Sequence, residues 1–439
     1  MNVPSNPTQR SGSLAALAGN FAWLLGGRGF AAVFSLIYLA ILTRTLGQEG
    51  YGQFSLIIGT AQVVTAFVGF QTWQIVVRYG MERLRTEREE ALVGLLKYCI
   101  CLDIGGAIAG VGLSLLAIFT LAPVFGWSDE LVRFALLFSA ASLISVRSTP
   151  AGILRLFDRF ALAANVEAAL TGARLVAAII VWLTAPGIGA FILAWAASEL
   201  FAAGLSWLLA WRTTRHLDWR SVGAHPRETL GDTPGLGRFT LTTNVTQTVG
   251  LAGRQVPVLL TGMFVGPIAA GGFQIALQLG HALTKLGSLA VQTLLPEMMR
   301  AKTFALDQQR FSKLIWGSLK IAALAGAVIL AIVILAGQFA LAAIAGPDFA
   351  DAYPLLVIIA IASTINLAAV PLEPALYAGG GDMAALKVRV MTALLAVGGM
   401  FILGTRYGAN GIALAVLGGA VLGTFFLGVS LHRNLKATR

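Results

Sequence analysis

The sequence predicts an all-α polytopic membrane protein whose twelve transmembrane helices form two parallel six-helix repeats around a central cavity. Three observations lead to this fold class: the hydropathy of the chain, the distribution of its cations and a similarity between its two halves. Hydrophobic residues make up 57% of the 439 positions and charged residues 12%, with a mean hydropathy of +0.80. Soluble domains do not have this composition, and the apolar runs are long enough to cross a bilayer.

Apolar runs bounded by glycine, proline and charge define the predicted spans. Their limits are 18–44, 52–77, 95–120, 131–150, 161–184, 188–211, 239–264, 268–295, 314–337, 353–376, 386–404 and 409–431. Residues 1–13 are polar and short, which predicts a disordered cytoplasmic N-terminus rather than a cleaved signal. The predicted organisation is a six-helix bundle at 14–211, a cytoplasmic linker at 212–237, a second six-helix bundle at 238–432 and a cytoplasmic tail at 433–439.

Lysine and arginine residues cluster in alternate loops. With the N-terminus placed inside, 23 of the 31 cations fall in cytoplasmic segments, and only Arg44, Arg133 and Arg406 fall outside. The positive-inside rule therefore predicts that both termini lie in the cytoplasm. The same asymmetry accounts for most of the net charge of +11, so we expect no nucleic-acid partner.

An internal repeat relates the two halves of the chain. Residues 46–54, LGQEGYGQF, align with residues 265–273, VGPIAAGGF, through two glycines and a phenylalanine at a constant shift of 219. Pro150 and Pro371 continue the alignment at a shift of 221. Because each half contains an even number of spans, both halves enter the membrane in the same direction, which predicts a cavity between them.

The predicted seventh and eighth spans are each polar along one helix face. The eighth span carries Gln274, Gln278, His281, Lys285, Ser288 and Gln292 at intervals of three or four residues. The seventh span carries Thr240, Asn244, Gln247 and Arg254 on one face. In lipid, the hydrogen-bond donors on such faces would have no partners, so we predict that the faces contact protein or water. For Lys285 the alternative is snorkelling to the cytoplasmic surface, and for His281 it is a bonded interior histidine.

Arginines inside the apolar spans are the most informative charges. A charge at the bilayer centre costs about 2.5–3.5 kcal/mol on insertion scales. We predict that Arg28 in the first span, Arg174 in the fifth and Arg254 in the seventh face the cavity. For Arg28 the alternative is a structural arginine bonded to backbone carbonyls, and for Arg174 it is a pair with Glu167 or Glu199.

The segment AILTRTLGQEGYGQFSLI at 40–57, the arginine in the first span and the parallel repeat together resemble a known family. They resemble the Wzx-type O-antigen and exopolysaccharide flippases of the multidrug/oligosaccharidyl-lipid/polysaccharide (MOP) exporter superfamily. The resemblance implies a MATE-like fold in the bacterial inner membrane. It also implies that an undecaprenyl-diphosphate-linked oligosaccharide is flipped from the cytoplasmic to the periplasmic leaflet by alternating access, for surface polysaccharide biosynthesis such as that of lipopolysaccharide.

The resemblance implies which ligand the polar residues inside the spans would bind. Arginine binds diphosphate oxygens bidentately, lysine binds them as a point charge, and amides and hydroxyls suit sugars. The candidate substrate-binding residues are Arg28, Arg254, Arg174, Lys285, His281, Gln278, Gln274, Gln247 and Asn244. The candidates for ion coupling are Glu167, Glu199 and His281. The partners are the lipid-linked oligosaccharide and membrane lipid, with a polysaccharide polymerase and a chain-length regulator left open.

Three other functions remain as alternatives. A cation-coupled multidrug exporter of the same superfamily calls for an acid in its cavity-facing helices, and the predicted spans 1, 2 and 7 contain none. A lipid II flippase carries two further helices. A membrane polysaccharide polymerase or ligase exposes a long periplasmic loop, whereas the longest outer loop here, near 338–352, has only Asp348 and Asp351 as charges.

The sequence shows no constellation typical of an enzyme. Cys99 and Cys101 point to different sides of one helix, so neither a disulfide nor a metal site is predicted. We therefore expect a transporter with no catalytic residues, no metal and no cofactor.

Overall fold

The computed structural model describes residues 14–220, 231, 233–292, 308–378 and 382–437, and every element within these ranges is helical. The first half contains α1 (Leu14–Val68), α2 (Thr72–Arg85), α3 (Glu89–Phe125), α4 (Asp129–Ile144), α5 (Ser148–Leu156), α6 (Phe160–Thr184) and α7 (Ile188–Thr214). The second half contains α8 (Leu236–Phe264), α9 (Pro267–Gln292), α10 (Gln308–Ala345), a 3-10 helix (Pro347–Ala352), α11 (Tyr353–Ala369), α12 (Leu372–Ala378) and α13 (Asp382–Ala437).

Helical segments that can cross a membrane make up most of the described chain. Eight segments within it are long and apolar enough by length and composition. This confirms the all-α polytopic class, whereas the number of twelve spans stays a prediction. The predicted terminus at 1–13 lies outside the described residues, as do residues 221–230 and 232 of the linker predicted at 212–237.

The repeat motif marks two structural features that both halves share. Gly47 (φ 67°) and Gly266 (φ 111°) occupy the left-handed region, which glycine adopts without strain, at the turn between two helices. Five residues later, the glycines of the two motifs meet across the interface between the halves. A Cβ on Gly52 would lie 1.9 Å from the carbonyl oxygen of Pro267, and one on Gly271 would lie 3.2 Å from Cα of Gly52. The motif is therefore needed for turns and for close backbone packing.

Three of the predicted spans are broken rather than continuous. The second span is interrupted at 69–71, the fourth at 145–147 and the tenth at 370–371. At the first break, a Cβ on Gly69 would lie only 2.5 Å from a backbone oxygen of the preceding turn. At the other two breaks a proline stands close to the new helix start, Pro150 in the first turn of α5 and Pro371 just before α12. Proline fits a first turn better than a helix interior, so the chain at 131–150 and at 353–376 forms two successive helices rather than one.

The two halves pack through α1, α8 and α9. Leu56 of α1 contacts the backbone of α8 at Gly262, where a Cβ would lie 2.4 Å from the Leu56 side chain. One apolar core extends across both halves and includes Phe54 and its repeat counterpart Phe273, which are 5% and 0% exposed. The halves are therefore in close contact at the end of the bundle that the charge distribution predicts to be periplasmic.

Candidate functional site

A cavity of about 110 Å³ lies between the two halves. Its walls come from α1, α6 and α7 of the first half and from α8 and α9 of the second. The polar and aromatic side chains that line it are Tyr38, Tyr51, Phe54, Ser55, Gln62, Arg174, Trp195, Gln255, Gln274 and Gln278. The site is thus predominantly aromatic and amide-lined, with one charged side chain at its wall.

Arg174, the charged side chain of the cavity wall, belongs to a cluster of three side chains. Glu199 of α7 accepts a hydrogen bond from Nη2 of Arg174 and forms an ion pair with Nη1 of Arg147 at 3.1 Å. The three side chains are only 15%, 20% and 25% exposed, in the order Glu199, Arg174, Arg147. Two guanidinium groups against one carboxylate leave one positive charge in this partly buried cluster.

Three helices bring this cluster together. Trp195 and Glu199 lie one turn apart on α7 and therefore share a face. Arg174 of α6 occupies that face, with its Cζ 4.6 Å from the centroid of the Trp195 ring and its guanidinium bonded to Glu199. Such cation–π stacking fixes the orientation of a planar guanidinium.

Arg147 reaches the cluster because the fourth predicted span is broken. It stands in the break at 145–147, directly before the first residue of α5. Trp207 of α7 donates its indole N–H to the carbonyl of Val146 at 3.0 Å, so the exposed backbone of the break is held against α7. Within the described residues, Nε of Arg174 has no hydrogen-bond acceptor, whereas Nη1 of Arg147 lies against the carboxylate of Glu199. Together with the net positive charge, this buried donor gives the cluster capacity to bind an anion.

Amide side chains form the opposite wall. Gln274 and Gln278 lie one turn apart on α9 and both line the cavity, and Tyr51 donates its hydroxyl to Oε1 of Gln278 at 3.3 Å. Gln255 of α8 donates to Oε1 of Gln62 on α1. Because amides both donate and accept hydrogen bonds, this wall is suited to neutral polar groups such as sugar hydroxyls.

Of the predicted binding residues, Arg174, Gln274 and Gln278 line the cavity. Asn244 instead donates to the carbonyl of Gly69 at 3.1 Å, in the break between α1 and α2. Gln247 is half-buried on the same helix and is not among the lining residues of the described cavity.

Arg254 and His281 lie beside the cavity rather than in its described wall. Both are exposed, and they are close enough to interact electrostatically. Each is near a lining residue in sequence, since Arg254 precedes Gln255 and His281 follows Gln278 by three positions. The side chains of Arg28 and Lys285, on α1 and α9, lie outside the described residues.

Arg174 pairs with one of the two acids named as alternatives. Its partner is Glu199, whereas Glu167 is exposed on α6 and forms no ion pair among the described residues. Sequence reasoning missed Arg147, which it counted with the cytoplasmic cations. The available signal was Pro150 three residues later, which marks a helix start and therefore a break inside the span.

Comparison with known proteins gives a family and a fold. The family model described as "Polysaccharide biosynthesis protein" matches residues 17–302. The inner membrane protein YghQ of Escherichia coli (strain K12) is 28% identical over 353 residues, which are 79% of this chain and 97% of that protein.

Solved structures of transporters share the fold over nearly the whole chain. The lipid II flippase MurJ in its inward closed conformation has a TM-score of 0.73 at 13% identity, covering 93% of this chain and 88% of that one. An inward-facing multidrug resistance MATE family transporter of the MOP superfamily has a TM-score of 0.69 at 16% identity, covering 93% and 96%. A MOP superfamily transporter from Pyrococcus furiosus Vc1 (DSM3638) has a TM-score of 0.63 at 14% identity, covering 94% and 93%. The predicted MATE-like fold is confirmed.

Proposed function

The chain belongs to the polysaccharide biosynthesis protein family, and we propose that it flips an undecaprenyl-diphosphate-linked oligosaccharide from the cytoplasmic to the periplasmic leaflet. The observation that carries this proposal is the cluster of Arg147, Glu199 and Arg174 at the cavity wall. A diphosphate is a dense anionic array of oxygens, which arginine binds in a bidentate manner. The cluster offers one net positive charge and the buried Nε–H of Arg174 for that group.

The rest of the cavity suits the sugar part of such a ligand. The amides of Gln274, Gln278 and Gln255 present donors and acceptors opposite the charged wall. Sugar hydroxyls need both kinds of partner. We therefore place the diphosphate at the arginine wall and the first sugar residues against α8 and α9.

Arg28 and Arg254 extend this proposal along the transport path. Arg254 lies next to the cavity-lining Gln255, and Arg28 lies on the first helix of the same interface. We propose that they bind the diphosphate before and after it occupies the wall of Arg174. Lys285 and His281 continue the polar face of α9 and are proposed as further contacts for the head group.

Alternating access explains how a head group larger than the described cavity is accommodated. A volume of about 110 Å³ holds a few water molecules. The halves must therefore separate to admit the ligand, and the shared fold with an inward-facing MATE transporter and MurJ supports such movement. The lipid tail stays in the bilayer, because an apolar chain inside the cavity would leave its polar wall without partners.

The cellular location forms part of the same proposal. We place the protein in a bacterial inner membrane with both termini in the cytoplasm, supported by its apolar helices and by its relative YghQ, an inner membrane protein. Surface polysaccharide synthesis, of an O-antigen or an exopolysaccharide, would consume the flipped product through a polymerase and a chain-length regulator.

The test is flipping of a fluorescent undecaprenyl-diphosphate-linked oligosaccharide in vesicles, read by an outer-leaflet quencher. Arg174→Ala leaves Glu199 paired with Arg147 and makes the cluster neutral. We expect the rate of flipping to fall roughly 10- to 150-fold, because a hydrogen bond to a charged group contributes about 1.5–3 kcal/mol. Arg174→Lys should recover only part, because the bidentate fork is lost.

The matched control is Arg212→Ala, which removes an exposed arginine from the last turn of α7. This variant should flip the lipid-linked oligosaccharide at the same rate as the unaltered protein. Full flipping by an Arg147→Ala, Arg174→Ala double variant at normal protein level would refute the proposal. If the same double variant transported cationic dyes faster than the unaltered protein, the result would instead indicate a multidrug exporter.

A further inference from the structure

Asp103 is a buried carboxylic acid in the middle of a membrane-spanning helix. It lies fourteen residues from the start of α3, about 21 Å along the helix axis, and it is 5% exposed. It does not line the cavity described above. An acid at such a depth is costly, and intramembrane acids are accordingly found at functional sites.

Two threonine hydroxyls meet this carboxyl group. Thr72 Oγ1 lies 3.1 Å from Oδ1 of Asp103, and Thr149 Oγ1 lies 2.6 Å from Oδ2. The two hydroxyl oxygens are themselves 3.0 Å apart. The carboxyl group and the two hydroxyls therefore form a closed triangle of hydrogen-bonding contacts.

Counting hydrogens in this triangle shows that it has a place for a proton. Three contacts at these distances need three hydrogens, and the two hydroxyls supply two. A carboxylic acid supplies the third, so that each oxygen group donates once around the ring. When the acid ionises, its O–H bond breaks, the proton passes to water, and one contact of the triangle loses its hydrogen.

The ionised form also has stabilising partners. Thr72 is the first residue of α2, and Thr149 lies in the first turn of α5, so two helix N-termini point at Asp103. The backbone N–H of Thr149 donates to Oδ2 at 3.3 Å. Helix N-termini favour negative charge. Both protonation states are thus accommodated, but with different hydrogen bonds at the two helix starts.

Few charged groups compete for this site. Cys99 lies one turn earlier on α3 and is buried, and Arg83 of α2, which donates to Thr233, acts electrostatically on that cysteine. The nearest cations at α5 are Arg147, which directly precedes the helix and pairs with Glu199, and Arg155, which stacks on the ring of Trp73.

The remaining helices that contact α3 add no charge near this depth. The part of α1 after its kink contains Glu49 alone, and α4 has its charges in its first turns at 129–133. On α8, Arg238 lies at the exposed start and Arg254 lies ten residues beyond Asn244. Among the described residues, no cation forms an ion pair with Asp103.

The two helix breaks connect this site to the rest of the molecule. On the side of the second half, Asn244 of α8 holds the carbonyl of Gly69 at the first break. At the second break, Trp73 of α2 donates its backbone N–H to Oγ of Ser148 at 3.1 Å. Ser148 directly follows Arg147, which is linked through Glu199 to Arg174 at the cavity wall. Asp103 therefore bonds the two helix starts that directly follow these breaks, one held to the second half and the other next to the arginine cluster.

The fold alone does not require this acid. At the repeat shift of 219 to 222, the counterparts of Asp103 are residues 322–325, which read AALA. The second half forms its corresponding helix with apolar residues at this depth. A role in packing alone is therefore a weak explanation for an acid in the first half.

We propose that Asp103 is a proton-binding site whose occupancy sets the geometry of the breaks at 69–71 and 145–147, and thereby couples proton movement to the contact between the two halves. The inference goes beyond the proposed function and does not rest on it, because the conformation can be measured without any lipid-linked substrate.

The experiment measures the distance between spin labels on α2 and α8 in the full-length protein in lipid nanodiscs. Labels are placed at two exposed positions, Arg85→Cys and Arg238→Cys, in a background with Cys99→Ala and Cys101→Ala. Between about pH 8 and about pH 5, we expect a second population of distances to grow from about a tenth of the molecules or less to about half or more.

Asp103→Asn should hold the low-pH distribution at every pH, because the amide donates to one hydroxyl and accepts from the other as the protonated acid does. The matched control is Glu82→Gln, an exposed acid on α2, which should retain the full response. Thr149→Val keeps the acid but removes a donor to its ionised form, so the midpoint of the response should move to higher pH.

Three results would overturn the inference. The first is a pH response that Asp103→Asn leaves unchanged, and the second is the lack of any pH response in protein that carries Asp103. The third is a change of the distances when Na⁺ replaces K⁺ at constant pH, if Asp103→Asn abolishes it, because the site would then bind an alkali cation.

Discussion

Removing the charge of Glu199 is the most direct test of the charged wall. Glu199→Gln keeps the size of the side chain but leaves Arg147 and Arg174 facing each other without a counter-ion. Removing one partner of a buried ion pair costs about 3–5 kcal/mol. Because the three side chains are 15% to 25% exposed, water screens part of this charge, and we expect a loss of about 2–3 kcal/mol in the free energy of unfolding.

A second substitution separates charge from packing. In the Glu199→Gln, Arg147→Gln double variant, one guanidinium and its counter-ion are both absent, so the net charge of the cluster returns to +1. We expect at least half of the lost stability to return. The assay is reversible unfolding of the purified protein in mixed micelles, with Glu167→Gln as the control, since Glu167 is exposed and unpaired among the described residues.

The control should change the free energy of unfolding by no more than about 0.5 kcal/mol. The reasoning is refuted if Glu199→Gln unfolds like the unaltered protein, or if the double variant is no more stable than the single one. The first result would mean that the cluster is already fully hydrated. The second would mean that Glu199 contributes through packing.

Two further predictions concern the interface and the other arginines. Gly52→Ala should greatly reduce the amount of folded protein, because its Cβ would overlap the carbonyl of Pro267, whereas Gly112→Ala, with open space around the Cβ, should fold normally; fluorescence-detected gel filtration measures both. Arg28→Ala and Arg254→Ala should each abolish polysaccharide export at normal membrane levels, with partial export by the Lys variants, and full export by the Ala variants would contradict the proposed path.

Hydropathy and the repeat motif were sufficient to predict the fold class. The apolar runs end where the structure turns, for example at Gly47 and Gly408, because chain reversal at a membrane surface requires a positive φ or a loop. The repeat was detectable because the same physical demand, close backbone packing at Gly52 and Gly271, acts on both halves. A packing requirement of this kind restricts one position to one residue type, which can be recognised in the sequence.

Polar periodicity predicted part of the cavity. It identified Gln274 and Gln278 because a polar face on a straight apolar helix has to avoid lipid. The same argument named Asn244, which lies on a comparable face of α8 and donates to the carbonyl of Gly69, so that its role in binding stays a prediction. Periodicity predicts on which side of a helix the polar side chains lie. Which group each side chain contacts on that side depends on tertiary packing.

The residues that sequence reasoning missed lie where helices break. Arg147 stands inside one break, and Asp103 bonds the helix starts that follow two of them. A broken helix exposes unpaired carbonyls and N–H groups inside the membrane, and only polar side chains can satisfy them there. An arginine or an acid in such a place is therefore part of the backbone hydrogen-bonding scheme as well as a charge. Under the proposals above, a ligand at Arg147 and a proton at Asp103 both change the geometry of a helix break. Both act on the start of α5. The two sites would therefore influence each other through this shared helix start.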